Sequence, residues 1–429
     1  MIGVRLHWAW VVAGVSFIAL VGAASFRAAP GALIEPLRAE FGWTTGTISL
    51  AISINLLLFG LTAPFAAALM DRFGVRLVVS CALTMVAIGS GLTVFMTSSW
   101  QLILLWGVVV GLGTGSMALA FVATITGRWF VRHRGLVTGV LTAGGAAGQL
   151  VFLPLVAWLS ATYGWRSASL MICIAALAVV PLAAFFLREY PRDVGLLPLG
   201  AVEDTPPPPS GGAARRALSA LGSAARTRPF WLLAGGFAIC GASTNGLVGT
   251  HFIPAAHDHG MPTTTAAGLL ALVGVFDIVG TIVSGWLTDL VNSGLLLASY
   301  YALRGLSLML LPQLFGASAH PSMLVFIIFY GLDWVATVPP TVALCRQFFG
   351  VSGPVVFGWV FASHQVGAAL AASAAGLTRD HLGSYDLAWY VAGALCLGAA
   401  VLSASLLSGS LARGAEDAPR DLARQGAAG

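Results

Sequence analysis

Twelve apolar stretches recur along the chain and constrain its fold more than any other feature of the sequence. They cover, to within a few residues, positions 8–28, 45–69, 77–97, 101–124, 136–158, 167–187, 230–252, 266–288, 295–315, 322–344, 354–377 and 386–408. A helix of about 20 apolar residues spans the hydrocarbon core of a bilayer. Hydrophobic residues make up 58% of the chain, charged residues only 9%, and the mean hydropathy is +0.90. The sequence therefore predicts an all-α integral membrane protein embedded in a lipid bilayer.

A repeat with a constant shift of 218 residues relates the two halves of the chain. The repeated pairs are Gly31 and Gly249, Pro36 and Pro254, Gly42 and Gly260, Asp71 and Asp289, Arg128 and Arg346, Phe130 and Phe348, and Gly135 and Gly353. An even number of spans per repeat leaves both halves in the same orientation. We therefore expect twelve transmembrane helices in two pseudo-symmetric six-helix bundles.

A polar segment separates the two bundles. Residues 188–228 contain Pro206–Pro209 and six arginines, and this composition provides too little apolar surface to fold alone. We expect a first bundle over 1–187, a cytoplasmic linker over 188–228, a second bundle over 229–410 and a cytoplasmic tail over 411–429.

The arginines predict the orientation in the membrane. The chain has no lysine, and with the N-terminus inside, most arginines fall in loops and tails on one side: positions 5, 72, 76, 128, 132, 134, 188, 192, 215, 216, 226, 228, 346, 413, 420 and 424. Because basic loops remain in the cytoplasm, both termini are expected there, in a multi-pass protein of the plasma or inner membrane. The net charge of +5 is then explained by these cytoplasmic arginines, and nucleic acid is not an expected partner.

Four ionisable residues lie inside predicted spans and need a partner or a function. Arg304 lies level with both Asp277 and Asp333 on neighbouring antiparallel stretches. We expect a structural ion pair between Arg304 and Asp333. For Asp277 two roles stay open, proton coupling or a second structural pair with Arg304.

Arg27 has no acidic neighbour at similar depth in its own half. An unpaired guanidinium facing a polar cavity is suited to binding a carboxylate through two parallel hydrogen bonds. The alternative is that Arg27 extends to the outer surface near Glu35. The repeat places Asn245 at the equivalent position, so the halves offer a cation and an amide to a small anion with an additional polar group.

Other polar residues inside the spans are weaker candidates for substrate contact. They are Asn55, Gln149, His364 and Gln365, and helix packing is the alternative role for each. His257, Asp258 and His259 adjoin Gly260 and Pro262, which favours a surface turn over a metal site. We expect no metal and no cofactor.

The loop between the second and third stretches resembles the loop between helices 2 and 3 of the major facilitator superfamily. In AALMDRFGVR, residues 67–76, the matching positions are Leu69, Asp71, Arg72, Gly74 and Arg76, whereas Ala67 and Val75 depart from the pattern. The resemblance implies a cytoplasmic gate formed by Asp71, Arg72 and Arg76. The corresponding loop of the second half keeps Asp289 but has no arginine.

Three further stretches resemble the monocarboxylate transporter and oxalate:formate antiporter branch of that superfamily. They are FRAAPGALIEPL (26–37), RWFVRHRGLVTG (128–139) and VFDIVGTIVSGWLTD (275–289). Monocarboxylate transporters have a lysine in helix 1 and, in helix 8, an aspartate followed four residues later by an arginine. Arg27 resembles that lysine and Asp277 that aspartate, but Thr281 stands in place of the arginine. The resemblance implies that Arg27 carries most of the anion recognition.

We therefore expect a secondary transporter that moves a small organic anion, a monocarboxylate, together with protons by alternating access. A monomer is the expected functional unit. An exporter of apolar or cationic drugs, with Asp277 and Asp333 as cation sites, is the alternative on the same fold. An integral-membrane enzyme is disfavoured because the sequence contains neither H-E-x-x-H nor G-x-S-x-G.

Overall fold

The computed structural model describes residues 7–27, 29–117, 119–202 and 212–416. Within these ranges the chain is nearly all helical, and eleven helices are long and apolar enough to cross a membrane. A shorter apolar helix, Ser99–Gly115, occupies the place of the fourth predicted stretch. The predicted twelve-span all-helical architecture is confirmed.

The first half contains six spans. They are α1 (Trp8–Arg27 and Pro30–Phe41), α2 (Thr45–Phe73), α3 (Val75–Phe95), α4 (Ser99–Gly115 and Leu119–Trp129), α5 (Arg134–Tyr163) and α6 (Trp165–Phe186). The second half contains α7 (Arg228–Asp258), α8 (Thr263–Leu287), α9 (Ser293–Leu314), α10 (Pro321–Phe349), α11 (Gly353–Leu382) and α12 (Asp386–Glu416). Residues 411–416 of the predicted tail continue α12, and residues 417–429 lie outside the described part. We call the side at which α6 ends and α7 begins the linker side, and the other the distal side.

The spans differ in how much of their surface faces other helices. α1, α7 and α11 are the most buried, whereas α6 and α12 are the least buried. On α6 the side chains of Leu170, Ile174, Leu177 and Phe185 are exposed. Because a soluble protein rarely leaves so many large apolar side chains uncovered, this surface is suited to lipid.

Four spans are irregular partway along their length. α1 changes from one helical segment to the next between Arg27 and Pro30, and α4 and α7 contain π-helical stretches over Ile103–Val110 and Ala242–Val248. α10 passes through turns at 334–337. Such irregular backbone at membrane depth is tolerated where it lines a cavity, and π-helical stretches are frequent at functional sites.

The two halves share one hydrophobic core on the distal side. Phe26, Leu33 and Trp106 of the first half belong to the same buried cluster as Phe252 and Trp389 of the second half. On the linker side each half has its own cluster. The halves are therefore packed together most extensively at their distal ends.

Two glycines related by the repeat meet at this distal contact. A Cβ atom on Gly31 of α1 would lie 2.9 Å from the Thr250 carbonyl oxygen and 3.2 Å from the Gly249 carbonyl oxygen of α7. Absence of a side chain lets the two backbones approach this closely.

The linker is tied to both halves in its described parts. Leu199 N donates to the Trp129 carbonyl oxygen at 2.8 Å, and the Leu199 carbonyl oxygen accepts from Val131 N and Arg132 N. A short helix, Ala213–Ala224, lies beside α11, where Trp359 Nε1 donates to the Ala217 carbonyl oxygen at 2.8 Å. Residues 203–211 of the predicted linker lie outside the described part. A segment that cannot fold alone is thus ordered here by surfaces that the two bundles provide.

Candidate functional site

A cavity lies between the two halves at mid-depth. Its first-half lining comes from α1, α2, α4 and α5, and its second-half lining from α7, α10 and α11. The lining residues are Phe26, Arg27, Pro30, Ile52, Asn55, Leu56, Phe59, Trp106, Gln149, Asn245, Gly249, Thr250, Trp334 and Gln365. Five predicted substrate-binding residues, Arg27, Asn55, Gln149, Asn245 and Gln365, are therefore brought to one cavity.

Arg27 is the charged residue of this lining. It ends the first segment of α1, where the helix is interrupted before Pro30, and its side chain is exposed to the cavity. No carboxylate of the described residues forms an ion pair with it, and Glu35, the acid near the outer surface, pairs with Arg38 at 2.7 Å. The Arg27 guanidinium instead lies over the Phe59 ring, with Cζ 5.0 Å from the ring centroid. The cavity thus holds a cation whose N–H donors are available to an anion.

The amide side chains around the cavity are held to different degrees. Asn55 Nδ2 donates to the Trp106 carbonyl oxygen at 2.7 Å, which joins α2 to α4. Gln365 is 1% exposed, and its Oε1 accepts no hydrogen bond from any described residue. Asn245 lies in the π-helical stretch of α7, where its carbonyl oxygen accepts from Thr250 Oγ1. Amide-bearing residues from both halves therefore line the cavity.

His364 does not belong to the described lining, although the sequence placed it among the substrate-binding candidates. Its ring packs against Phe237, with centroids 4.8 Å apart, and is stacked on Phe361 at 5.9 Å. Because α11 turns this side chain toward α7, the neighbouring Gln365 faces the cavity in its place.

Asp277 lies in α8 outside the cavity lining. It is 8% exposed, and its Oδ1 accepts from Thr281 Oγ1 and from Val335 N, each at 3.1 Å. Among the described residues it forms no ion pair, with Arg304 or with any other cation. Thr281, four residues after Asp277, thus gives this carboxylate a neutral hydroxyl donor.

Arg304 and Asp333 form a buried ion pair between α9 and α10. Arg304 Nε donates to Asp333 Oδ2 at 2.5 Å, and Arg304 Nη2 donates to the Asp333 carbonyl oxygen. Arg304 Nη1 lies 2.9 Å from Cys240 Sγ of α7. Arg304 is 0% exposed, so the pair links three helices of the second half and leaves this cation outside the described lining.

The predicted gate residue Asp71 lies at the linker-side end of α2, and its partner comes from α4. Asp71 Oδ1 accepts from Arg128 Nη2 at 2.7 Å, rather than from the nearby Arg72 or Arg76. Arg128 Nη1 also lies 3.3 Å from Glu189 Oε2, and the Glu189 carboxylate accepts from the first backbone N–H groups of α3. This network therefore joins α2, α3 and α4 of the first half to Glu189 at the start of the linker.

The other predicted gate residues have different surroundings. The Arg72 guanidinium lies over the Phe73 ring at 5.2 Å. The backbone N–H of Arg76 donates to Glu189 Oε1 at 3.1 Å. Asp289 is exposed, and within the described part it forms no ion pair with Arg346, the repeat equivalent of Arg128. The ion pair of the first half is thus not repeated in the second.

The described residues contain no group of three or more metal-ligating side chains. At the position considered for a metal site, Asp258 is bound in bidentate fashion by Arg379, at 2.6 and 3.0 Å. His259 Nδ1 lies 2.8 Å from the Ala255 carbonyl oxygen. These contacts join the end of α7 to α11 and to its own last turn.

Sequence reasoning missed the aromatic part of the cavity, which consists of Phe26, Phe59, Trp106 and Trp334. In a chain this apolar, an aromatic residue in a span carries no signal of its own. One signal was available for Phe59, because the repeat that aligns Arg27 with Asn245 also aligns Phe59 with Asp277.

The chain matches the model of the Major Facilitator Superfamily over residues 15–355. Monocarboxylate transporter 13 of Rattus norvegicus is 29% identical over 402 residues, covering 91% of this chain and 87% of that protein. Monocarboxylate transporter 11 of Homo sapiens is 28% identical over 404 residues, covering 91% and 81%. The crystal structure of a D-xylose–proton symporter has a TM-score of 0.71 at 15% identity, covering 92% of this chain and 97% of that one.

The resemblance predicted from short motifs is confirmed over most of the chain. The structural similarity shows a common fold with the symporter. The protein is accordingly a multi-pass membrane transporter and not an enzyme. The chain belongs to the Major Facilitator Superfamily.

Proposed function

We propose that this protein carries a small organic anion, a monocarboxylate, across the plasma or inner membrane together with protons by alternating access. The observation that carries the proposal is Arg27, a cavity cation with no carboxylate partner among the described residues. A planar guanidinium binds a carboxylate through paired, charge-assisted hydrogen bonds. Relatives whose names say that they transport monocarboxylates support the same substrate class.

The rest of the cavity fits a singly charged substrate. Its described lining contains one cation and no acid, and the other polar side chains are the amides Asn55, Gln149, Asn245 and Gln365. A second carboxylate would be desolvated without a counter-ion, which is unfavourable in a buried site. Asp277 and Asp333 lie outside the lining, so the geometry favours an anion over the cationic drug of the alternative hypothesis.

Asp277 is the residue to which we assign the proton. It is a buried carboxylate in a span whose hydrogen-bond donors are a hydroxyl and a backbone amide, and no described cation neutralises it. Buried carboxylates of this kind serve as proton relays in membrane transporters. In contrast, Asp333 is neutralised by Arg304, to which we assign a structural role.

We assign the chain a first bundle over 1–187, a linker over 188–228, a second bundle over 229–410 and a tail over 411–429. The linker side, with both termini, faces the cytoplasm, because most of the arginines flank it. There Asp71, Arg72, Arg76 and Asp289 are the candidate gate residues. One chain contains the whole cavity, which supports a monomer as the functional unit.

Uptake into proteoliposomes tests the proposal. Labelled acetate, lactate, pyruvate and benzoate are offered to wild type and to Arg27→Gln under an inward proton gradient. We expect proton-stimulated uptake by wild type and a loss of about 10- to 100-fold in Arg27→Gln, because charged hydrogen bonds to the substrate disappear.

Arg38→Gln is the matched control, since Arg38 lies on the same span but binds Glu35 outside the cavity. It should transport as wild type does. Absence of uptake for all four acids, or unchanged uptake by Arg27→Gln, would refute the assignment.

A further inference from the structure

Phe59 occupies an unusual place in α2. It lines the cavity but is only 6% exposed, and it belongs to none of the three large hydrophobic clusters. Its small cluster contains Ala63, with Phe361 of α11 packed against it. Phe59 therefore contributes little to the cores of the two bundles.

One contact of Phe59 is with the proposed anion-binding residue. The Arg27 guanidinium lies over the ring, with Cζ 5.0 Å from the centroid. The ring face attracts the cation through its quadrupole and not through a hydrogen-bond acceptor, and no carboxylate of the described residues binds the guanidinium. The ring thus holds the cation without using the donors that the anion needs.

The other contact of Phe59 crosses the boundary between the two halves. Its ring meets that of Phe361 edge-to-face, with centroids 5.9 Å apart and planes at 68°. At the same level, a Cβ atom on Gly60 would collide with Cβ of Gln365, so α2 and α11 approach closely here. Movement of one half against the other must therefore change the surroundings of the Phe59 ring.

We propose that Phe59 is a positioning residue for Arg27. It holds the Arg27 guanidinium in the geometry for carboxylate binding, and it links this cation to the interface between α2 and α11. This inference rests on the proposed function, because it requires an anion at Arg27. The aromatic face of the Phe59 ring, and not its bulk alone, sets the affinity for the anion. The contact with Phe361 makes that affinity depend on how the halves are placed.

The experiment compares Phe59→Leu with Phe59→Tyr in proteoliposomes. Uptake of labelled acetate, lactate, pyruvate and benzoate is measured over a range of concentrations, so that KM and the maximal rate are obtained separately. Phe59→Leu should raise KM by about fivefold to thirtyfold, the effect of losing the cation–π contact with Arg27. Phe59→Tyr retains the aromatic face and should stay within about threefold of wild type.

Phe65→Leu is the matched control. Phe65 lies six residues further along α2 and makes an edge-to-face contact with Trp359 of α11, with centroids 5.6 Å apart. This substitution removes a comparable ring contact between the halves, but Phe65 neither lines the cavity nor contacts Arg27. We expect its KM to stay near the wild-type value, whatever happens to its maximal rate.

Three outcomes would overturn the inference. They are a Phe59→Leu variant with unchanged KM and a lower maximal rate, a Phe59→Tyr variant as impaired as Phe59→Leu, and a Phe65→Leu variant with the same rise in KM. In each case sensitivity of uptake to Arg27→Gln would leave the proposed function standing. Uptake that is insensitive to Arg27→Gln would remove both.

Discussion

Replacing Asp380 with alanine should favour opening of the distal side of the protein. Asp380 lies near the end of α11, and its carboxylate crosses to the start of α2 in the other half. Oδ1 accepts from Thr45 N at 2.9 Å and Oδ2 accepts from Gly46 N at 2.6 Å. A third N–H of this helix start, Thr47 N, donates to Thr44 Oγ1. One half therefore provides the cap for a helix of the other.

The magnitude follows from the energetics of helix capping. Replacing a capping side chain by alanine costs about 0.5–2 kcal/mol, and a carboxylate near the positive end of a helix contributes about 0.3–1 kcal/mol. Because Asp380 is exposed to solvent, which weakens its electrostatic contribution, we expect a total of about 1–2 kcal/mol. The cap exists only when the distal ends are together, so the ratio of closed to open molecules should fall by about 5- to 30-fold.

The assay measures the distance between the distal ends of α1 and α7. Ala39 and His257 are exposed at these ends and can be replaced by cysteine for spin labels or fluorophores. Cys81 and Cys173, which are not buried, are first replaced by serine. Asp380→Ala should enlarge the long-distance population by the stated factor.

Asp386→Ala is the matched control. Asp386 begins α12 on the same side, and the hydrogen bond of its backbone N–H to Ser384 Oγ stays within the second half. It should leave the distance distribution unchanged. An Asp380→Ala distribution identical to wild type, or an equal shift in Asp386→Ala, would refute the capping explanation.

Three further predictions concern single sites. Arg304→Leu should lower stability by about 3–5 kcal/mol, because it leaves the Asp333 carboxylate buried and unpaired, and the double variant with Asp333→Leu should recover most of the thermal-unfolding midpoint. Glu189→Gln should lower the free energy of unfolding by about 1 kcal/mol, measured as a lower thermal-unfolding midpoint, without changing the KM for uptake, since the carboxylate caps α3 and contacts Arg128. Asp277→Asn should abolish stimulation of uptake by a proton gradient but preserve exchange of labelled for unlabelled substrate. Retained stimulation would contradict its assignment.

Much of the architecture was predictable from the sequence. Hydrophobic length sets the number of spans, because every backbone group in lipid must be bonded within its own helix. The shift that aligns Gly31 with Gly249 predicted a repeat, and in the structure these glycines meet at the contact between the halves. Arg27 was identified as a candidate because a charge in a span without a partner at its own depth is unfavourable.

The fourth span shows where local pattern was insufficient. Apolar residues predicted it at 101–124, but helix extends from Ser99 to Trp129 with a π-helical stretch and an interruption within it. A π-helical turn and a straight helix have the same hydrophobic composition. The difference arises from packing around the cavity, which no single stretch encodes.

Partner choice was likewise decided by the tertiary structure. Sequence depth left Asp277 and Asp333 as alternatives for Arg304, and the rotation of α9 and α10 selected Asp333. Asp71 binds Arg128 of α4 rather than its near neighbours in the loop. The capping of α2 by Asp380 joins residues more than 300 positions apart.

The sequence by itself determined the environment of each segment, which is lipid, water or a polar cavity. That information is contained in residue type and position along one helix, which set burial free energy irrespective of neighbours. What only the tertiary structure decided is which side chains meet, as Phe59 meets both Arg27 and Phe361. Contacts of this kind depend on the rotation and spacing of helices from both halves, and many sequences with the same hydrophobic pattern satisfy different sets of them.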